Sequence, residues 1–229
     1  MKDFFLNKSI PEIIEGIKNN KLSLSEILKE SIKKYEKYEN KFCSWVIFDK
    51  KKSKKKFLNS QKKYDLKINS NLEGMPYGIK DIFNTIDFKT EMGSKIWKNF
   101  TPGNNARVVD ALEGNGAIAL GKTVTAEFAV HKLNRTKNPH NIKKSPGTSS
   151  SGSASAVCTG EVPFALASQT AASIIRPSSY CGTWGMKPSF GLIPRTGILR
   201  TNDTLDTVGF TTSNLYNLEI LLNNIMNQK

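Results

Sequence analysis

The order of apolar and polar positions divides this chain into helical and strand-like stretches that alternate along most of its length. Residues 9–40 read as helices. Ser9, Pro11 and Glu12 supply an N-cap, a first-turn proline and an early acid. Ser23 and Glu26 form a capping-box pattern ahead of Leu24, Ile27, Leu28, Ile32 and Tyr35 at helical spacing. Residues 45–48 read as a short strand, and the Lys-rich segment after them as another helix. The Asn-rich stretch 67–72 reads as a loop that leads into a strand over 77–83. Residues 107–113 are helical, 117–120 form a buried strand, and Gly121 marks a turn. Residues 144–152, with Pro146 and four serines, read as irregular loop, and the small residues of 153–157 suit a closely packed helix. A buried strand over 162–167 and an amphipathic helix over 215–226 complete the pattern, and no internal repeat is present. Strands interleaved with helices predict an α/β fold. Its mixed or parallel β-sheet is covered by helices on both faces, and an N-terminal helical segment occupies residues 1–70.

Composition narrows the class. With 229 residues, 38% of them apolar and 24% charged, the chain can bury a core without disulfides or a structural metal. Its three cysteines, Cys43, Cys158 and Cys181, are odd in number and lack CxxC spacing, which argues against a disulfide scaffold and a zinc site. No long apolar run suggests a membrane span, and the first residues are too short in apolar length for a signal peptide. These features predict a cytoplasmic protein with reduced thiols. The formal charge of +14 comes almost wholly from lysine, since only five of the 34 basic residues are arginine. Residues 50–56 are lysine except for Ser53. Clustered lysine attracts phosphate by counterion release, which keeps a nucleic-acid-binding module as the non-enzyme alternative. The run lacks arginine and aromatic residues, however, and a solvated helix face is the favoured reading.

The candidate chemistry is not histidine chemistry. His131 and His140 are the only histidines, without ligand-spaced carboxylates or thiols and without a triad context, and no Walker or dinucleotide fingerprint is present. Two serine-rich segments carry more information. Residues 146–154 place small hydroxyl residues on a Gly-flanked loop, and residues 168–177 follow a buried strand. A serine just past a strand end, preceded by small residues, can expose its hydroxyl beside converging backbone N–H groups. Without histidine its base can be a lysine whose pKa burial depresses from the usual ~10.4. Lys80, in a mostly apolar strand, is the candidate. Each feature has a bland reading too: a Ser/Gly run is commonly a linker, and a strand lysine commonly points to water.

Taken together, these segments resemble the amidase signature family. Residues 74–81 (Gly-Met-Pro-Tyr-Gly-Ile-Lys-Asp) are similar to its lysine strand. Residues 121–129 and 136–139 are similar to the landmarks that follow, and residues 146–154 to its Gly/Ser-rich signature. Residues 181–188 and 205–209 continue in register, and Ser149 and Ser173 are 24 residues apart, as the family's two catalytic serines are. The resemblance covers about residues 72–212 and implies a Ser–Ser–Lys triad. Ser173 would attack the amide carbonyl. Ser149, whose preceding peptide bond is typically cis in the family, would relay the proton. Lys80 would be the ultimate base, with Ser150 as its supporting hydrogen-bond partner. Backbone N–H groups of Thr170, Ala171, Ala172 and Ser173 would form the oxyanion hole. No metal or organic cofactor is implied, and the substrate would be a small-molecule amide.

Some positions depart from the common pattern. Ala171-Ala172 replaces the frequent Gly-Gly, where a positive φ would penalise a methyl group. Gln169 stands for an acid and Ile175 for an arginine, a combination similar to certain bacterial amidases. It weakens the alternative reading, an amidotransferase subunit that handles glutamine for transfer-RNA amidation. The family's domain is considerably longer than this chain, so residues 1–229 read as one amidase-type domain incomplete at its C-terminus. Either a partner supplies the rest, as a complementary C-terminal chain or a homo-oligomer, or the chain is a fragment, or it is a catalytically dead remnant. The expectation is little activity from the chain by itself, because an open site would let water reach Lys80 and raise its pKa.

Overall fold

The computed structural model describes residues 4–67 and 70–226; residues 68 and 69 of the expected Asn-rich loop lie outside them. The N-terminal elements are helices α1 (Phe4–Asn7), α2 (Ile10–Lys18) and α3 (Leu24–Phe42). Both expected capping boxes form. Ser9 N–H donates to Glu12 Oε2 at 2.7 Å and Ser23 N–H to Glu26 Oε2 at 2.8 Å, while each serine hydroxyl accepts the N–H of its glutamate. Such boxes satisfy helix-start donors that would otherwise lack partners. Strand β1 (Trp45–Phe48) follows, and then the Lys-rich helix α4 (Lys50–Asp65). Its lysines face water and nearby acids: Lys50 pairs with Glu36, and Lys56 with Asp87 and Glu113.

The remaining elements are β2 (Pro76–Lys80), α5 (Arg107–Gly114), β3 (Ile118–Thr123), α6 (Ser151–Cys158), β4 (Phe164–Gln169), α7 (Ile175–Cys181), β5 (Trp184–Met186), β6 (Thr207–Thr212) and α8 (Asn217–Ile225). Among the described residues, six strands form one mixed sheet in the order β1-β3-β2-β4-β6-β5. The central β2 pairs in parallel with β3 and β4, while β1, β6 and β5 join antiparallel. Helix α6 packs across β2, β3, β4 and β6, whereas α3, α4 and α5 lie against β2 and β3. The α/β sheet covered on both faces is therefore as expected. Every residue of β2, β3, β4 and β6 is buried, as strands covered on both faces require. One apolar cluster runs from Ile13 and Leu24 of the N-terminal helices through Tyr77, Ile79 and Phe164 to Leu221 and Ile225 of α8. Tyr77 and Phe164 stack across β2 and β4 at 5.3 Å.

Several boundaries differ from the sequence reading. Gly121 is not a turn residue but an interior residue of β3, next to a register shift against Tyr77 and Gly78 of β2. A Cβ there would lie 1.9 Å from the Ile47 carbonyl oxygen, so the glycine serves close strand approach. Strand β2 ends at Lys80 rather than residue 83, and β4 extends two residues past the expected end, to Gln169. Helix α6 begins at Ser151 instead of residue 153. Short β5 and α7 are absent from the sequence pattern, and so is β6, whose apolar alternation is diluted by Thr207, Gly209, Thr211 and Thr212.

Candidate active site

The site is assembled where β2, β4 and the start of α6 meet. Parallel pairing of Gly78 with Ala165 and of Ile79 with Leu166 brings the C-terminal ends of β2 and β4 side by side. Lys80 is the last residue of β2, and the turn that carries Ser173 follows the end of β4. Gly152 sets the third component in place. A Cβ at this position would lie 2.3 Å from Val124 N and 2.4 Å from Ser44 O, so only glycine lets α6 approach the end of β3 this closely. Its N–H donates to Val124 O at 3.0 Å. The Thr148–Ser149 peptide just upstream is cis.

Lys80 is completely buried, and its Nζ lies 2.6 Å from Ser149 Oγ, 2.9 Å from Ser168 Oγ and 3.5 Å from Ser168 O. Burial pushes the lysine pKa down to about 7, against the opposing field of Asp206. This burial overturns the expectation that water would reach Lys80 in a chain of this length: the described residues leave its side chain with no exposed surface. The supporting hydroxyl differs from expectation as well. Ser150 Oγ donates to Ser168 O at 3.3 Å, and the second hydroxyl at Lys80 belongs to Ser168. The reason is the extension of β4, which carries Ser168 up to the level of the lysine.

Ser173 is half-buried in the turn between β4 and α7, and its carbonyl accepts the Ser150 N–H at 3.3 Å, joining the two serine segments. Gln169 organises this turn. Its Oε1 accepts the N–H groups of Ile174 at 2.9 Å and Ile175 at 3.0 Å, while its Nε2 donates to Ala171 O at 2.9 Å. A carboxylate could accept both N–H groups but could not donate to the carbonyl. The neutral amide at this position is therefore matched to its surroundings. Among the described residues, the backbone N–H groups of Ala171, Ala172 and Ser173 have no acceptor. Neither alanine has a positive φ, so the methyl groups carry no left-handed strain. Thr170 Oγ1 donates to Asp206.

A second buried cation lies one strand away. Lys122 Nζ is 3.3 Å from Asp81 Oδ1 and donates to Phe83 O and Thr90 Oγ1, each at 2.7 Å. Burial lowers the Lys122 pKa to about 8 with Asp81 opposing, and burial raises that of Asp81 with Lys122 opposing. This pair is closed by its own hydrogen bonds, unlike Lys80, whose partners are neutral.

Residues 26–229 match the protein family described as Amidase. The chain belongs to the amidase signature family. It is 37% identical over 207 residues to the A subunit of glutamyl-tRNA(Gln) amidotransferase from Bacillus licheniformis, covering 87% of this chain and 43% of that protein. Among solved structures, it superposes with a TM-score of 0.92 on the inhibitor-bound form of a vestigial protein complex tied to the origins of an s-triazine catabolic enzyme. The identity there is 26%, covering 97% of this chain and 50% of the other. The corresponding amidotransferase chain from Thermotoga maritima matches with a TM-score of 0.82 at 27% identity, over 98% of this chain and 48% of that one. The peptide amidase of Stenotrophomonas maltophilia shares the fold, with a TM-score of 0.93 at 24% identity, over 99% and 49% of the two chains. The chain thus spans about half the length of the relatives it matches.

The sequence reading singles out Lys80, Ser149 and Ser173, and the fold brings their segments together. It overlooks Ser168, although the residue lies five positions before Ser173 in the same serine-rich segment. It includes the motif around Asp206 without giving the aspartate a role.

Proposed function

We propose that this chain cleaves a carboxylic amide C–N bond through a Ser–Ser–Lys relay and an acyl-enzyme. The observation that carries the reading is a lysine buried among hydroxyls, with its pKa lowered to about 7 and its Nζ 2.6 Å from Ser149. Neutral Lys80 takes the hydroxyl proton of Ser149, which in turn takes that of Ser173 as Ser173 Oγ attacks the carbonyl carbon. The N–H groups of Ala171, Ala172 and Ser173 receive the developing oxyanion. Collapse of the tetrahedral species forms the Ser173 ester and breaks the C–N bond. The proton held by Lys80 returns through Ser149 to the leaving amine. Water then attacks the ester, transfers its proton along the same relay, and releases the acid and free Ser173.

The substrate half of the pocket and any partner belong to this proposal too. Strand β5 ends the sheet, with half-exposed Trp184 on it and exposed Ile175 at the start of α7. A complementary chain, or the stretch of sequence by which the relatives are longer, would cover this edge and wall the acyl pocket. Three free cysteines suit a cytoplasmic setting, and no helix among the described residues is long and apolar enough to cross a membrane. A second reading is favoured by one observation, the 37% identity to the A subunit of an amidotransferase. There the same relay would release ammonia from glutamine for use by partner subunits, and glutaminase activity that emerges only with those subunits would support it.

The test of the relay is labelling with a fluorophosphonate probe followed by peptide mapping. The label is expected on Ser173 and absent from the Lys80→Met chain. A label on another serine, with Ser173 untouched, overturns the assignment.

A further inference from the structure

Asp206 lies just outside β6, on the approach that joins the end of the sheet to the candidate site. Strands β4 and β6 run antiparallel with Gln169 opposite Thr207, so Thr170 and Asp206 face each other one step beyond the ladder. Asp206 is only 4% exposed. Its Oδ1 accepts from Thr170 Oγ1 and, at 2.7 Å, from Thr201 Oγ1; its Oδ2 accepts from the N–H groups of Thr201 at 2.6 Å and Asn202 at 2.8 Å. Burial would raise this carboxyl's pKa. The hydrogen bonds from Asn202, Thr170 and Thr201 outweigh that, and hold it below the ordinary carboxylate value. A buried carboxylate with four donors is a fixed negative charge at neutral pH.

Lys80 is surrounded by neutral groups: the hydroxyls of Ser149 and Ser168 and the Ser168 carbonyl. Asp81, the residue after Lys80, and Lys122 of neighbouring β3 offset each other. Asp206, one step beyond the β4–β6 ladder from Gln169 and so two steps past Ser168, is a buried carboxylate whose field opposes the effect of burial on Lys80.

We propose that Asp206 is the positioning residue of this site: it pins Thr170, where the turn carrying Ser173 begins, and so fixes a carboxylate two steps beyond Ser168, the hydroxyl partner of Lys80. The proposal rests on the reading of Lys80 as the base. Its physical content is a compromise. Without Asp206 the lysine would lose its proton more readily but become a weaker base, and the turn would lose the anchor that orders it.

The experiment uses the full chain with isotopically labelled lysine, and follows the Lys80 resonance by NMR as pH is raised, with Lys80→Met giving the assignment. Asp206→Asn removes the charge, so the Lys80 midpoint is expected to fall by about half a pH unit or more, roughly a threefold change in the protonation ratio at fixed pH. Thr170→Val keeps the charge and removes the hydroxyl contact, so its midpoint is expected to stay in place. In both variants, the plateau rate of fluorophosphonate reaction at Ser173 is expected to fall about tenfold or more, as loss of an ordering contact at a reacting group does. An Asp206→Asn midpoint that stays in place or rises overturns the proposal, and so does a plateau rate unchanged in both variants. If Asp206→Asn does not fold, Asp206→Ser, equally uncharged, is read by the same midpoint. A wild-type chain whose Ser173 is never labelled would refute the relay, and it is distinguishable from failure of this proposal because the Lys80 midpoint is read without any reaction.

Discussion

The pH dependence of Ser173 acylation tests the base most directly. With a pKa of about 7 for Lys80, its neutral fraction is roughly one tenth at pH 6, one half at pH 7 and nine tenths at pH 8. The second-order rate of fluorophosphonate labelling should therefore rise about tenfold between pH 6 and pH 8 and then level off. A lysine at the ordinary ~10.4 would give a rise of about 100-fold over the same interval and no plateau below about pH 10. Labelling rates from about pH 5.5 to about pH 9.5, each mapped to Ser173, separate the two outcomes. A rate that climbs tenfold per unit through pH 9, or one flat throughout, would refute the reasoning. The same burial has a thermodynamic side. Between about pH 7 and pH 10 the unfolded chain binds a proton that native Lys80 does not, so this group makes stability rise with pH across that window and weighs fully against folding at and below pH 7. At about 1.4 kcal/mol per unit, the shift amounts to about 5 kcal/mol as an upper bound. Lys80→Met should therefore abolish labelling yet raise stability at pH 7 by a few kcal/mol, read from denaturant midpoints. A Lys80→Met chain less stable than wild type would contradict the desolvation argument.

Three further outcomes follow from packing and charge. Gly152→Ala should cost about 2–3 kcal/mol in thermal or denaturant unfolding, because its Cβ meets backbone atoms at 2.3 and 2.4 Å that cannot move aside; unchanged stability would show that α6 can shift. Glu161 is fully buried, with Trp45 Nε1 and Thr159 Oγ1 each donating to it at 2.6 Å, and burial raises its pKa to about 8. The native state then holds a proton that the unfolded chain has lost, so this group's contribution to stability declines as pH rises from about 4.5 towards 8. Glu161→Gln should remove that decline, and a stability difference from wild type that does not grow between pH 5 and pH 8 would count against it. On α4, replacing exposed Lys51, Lys54 and Lys55 by Gln should change stability by no more than about 0.5 kcal/mol. Lys56→Gln, which leaves Asp87 and Glu113 without their shared cation, should cost more in the same unfolding assay.

What could be read from the sequence was what short-range chemistry dictates. The capping boxes at Ser9 and Ser23 close over three residues, so their donors and acceptors are visible in one window. The strand–helix alternation was legible because burial on both faces leaves short apolar runs, such as residues 164–167 at the start of β4. Lys80, Ser149 and Ser173 could be named because each sits in a distinctive local motif. Strands β5 and β6 were not legible, since β6 pairs with the distant β4 and its buried run is diluted by threonines, and α7 was not legible because it is seven residues long, without a side-chain cap.

Tertiary structure decided everything that depends on which neutral or charged groups surround Lys80. Its bond to Ser149 spans 69 residues and that to Ser168 spans 88. No local pattern contains either distance, or shows that Ser168 rather than Ser150 completes the contact. The fold alone turned Gln169 from an apparent departure into the amide that orders the Ser173 turn, and placed Asp206 opposite Thr170 through the antiparallel register of β4 and β6. The water-free setting of the lysine was likewise decided there. The sequence supplies a lysine next to apolar neighbours, but desolvation is a property of the packed layers around it.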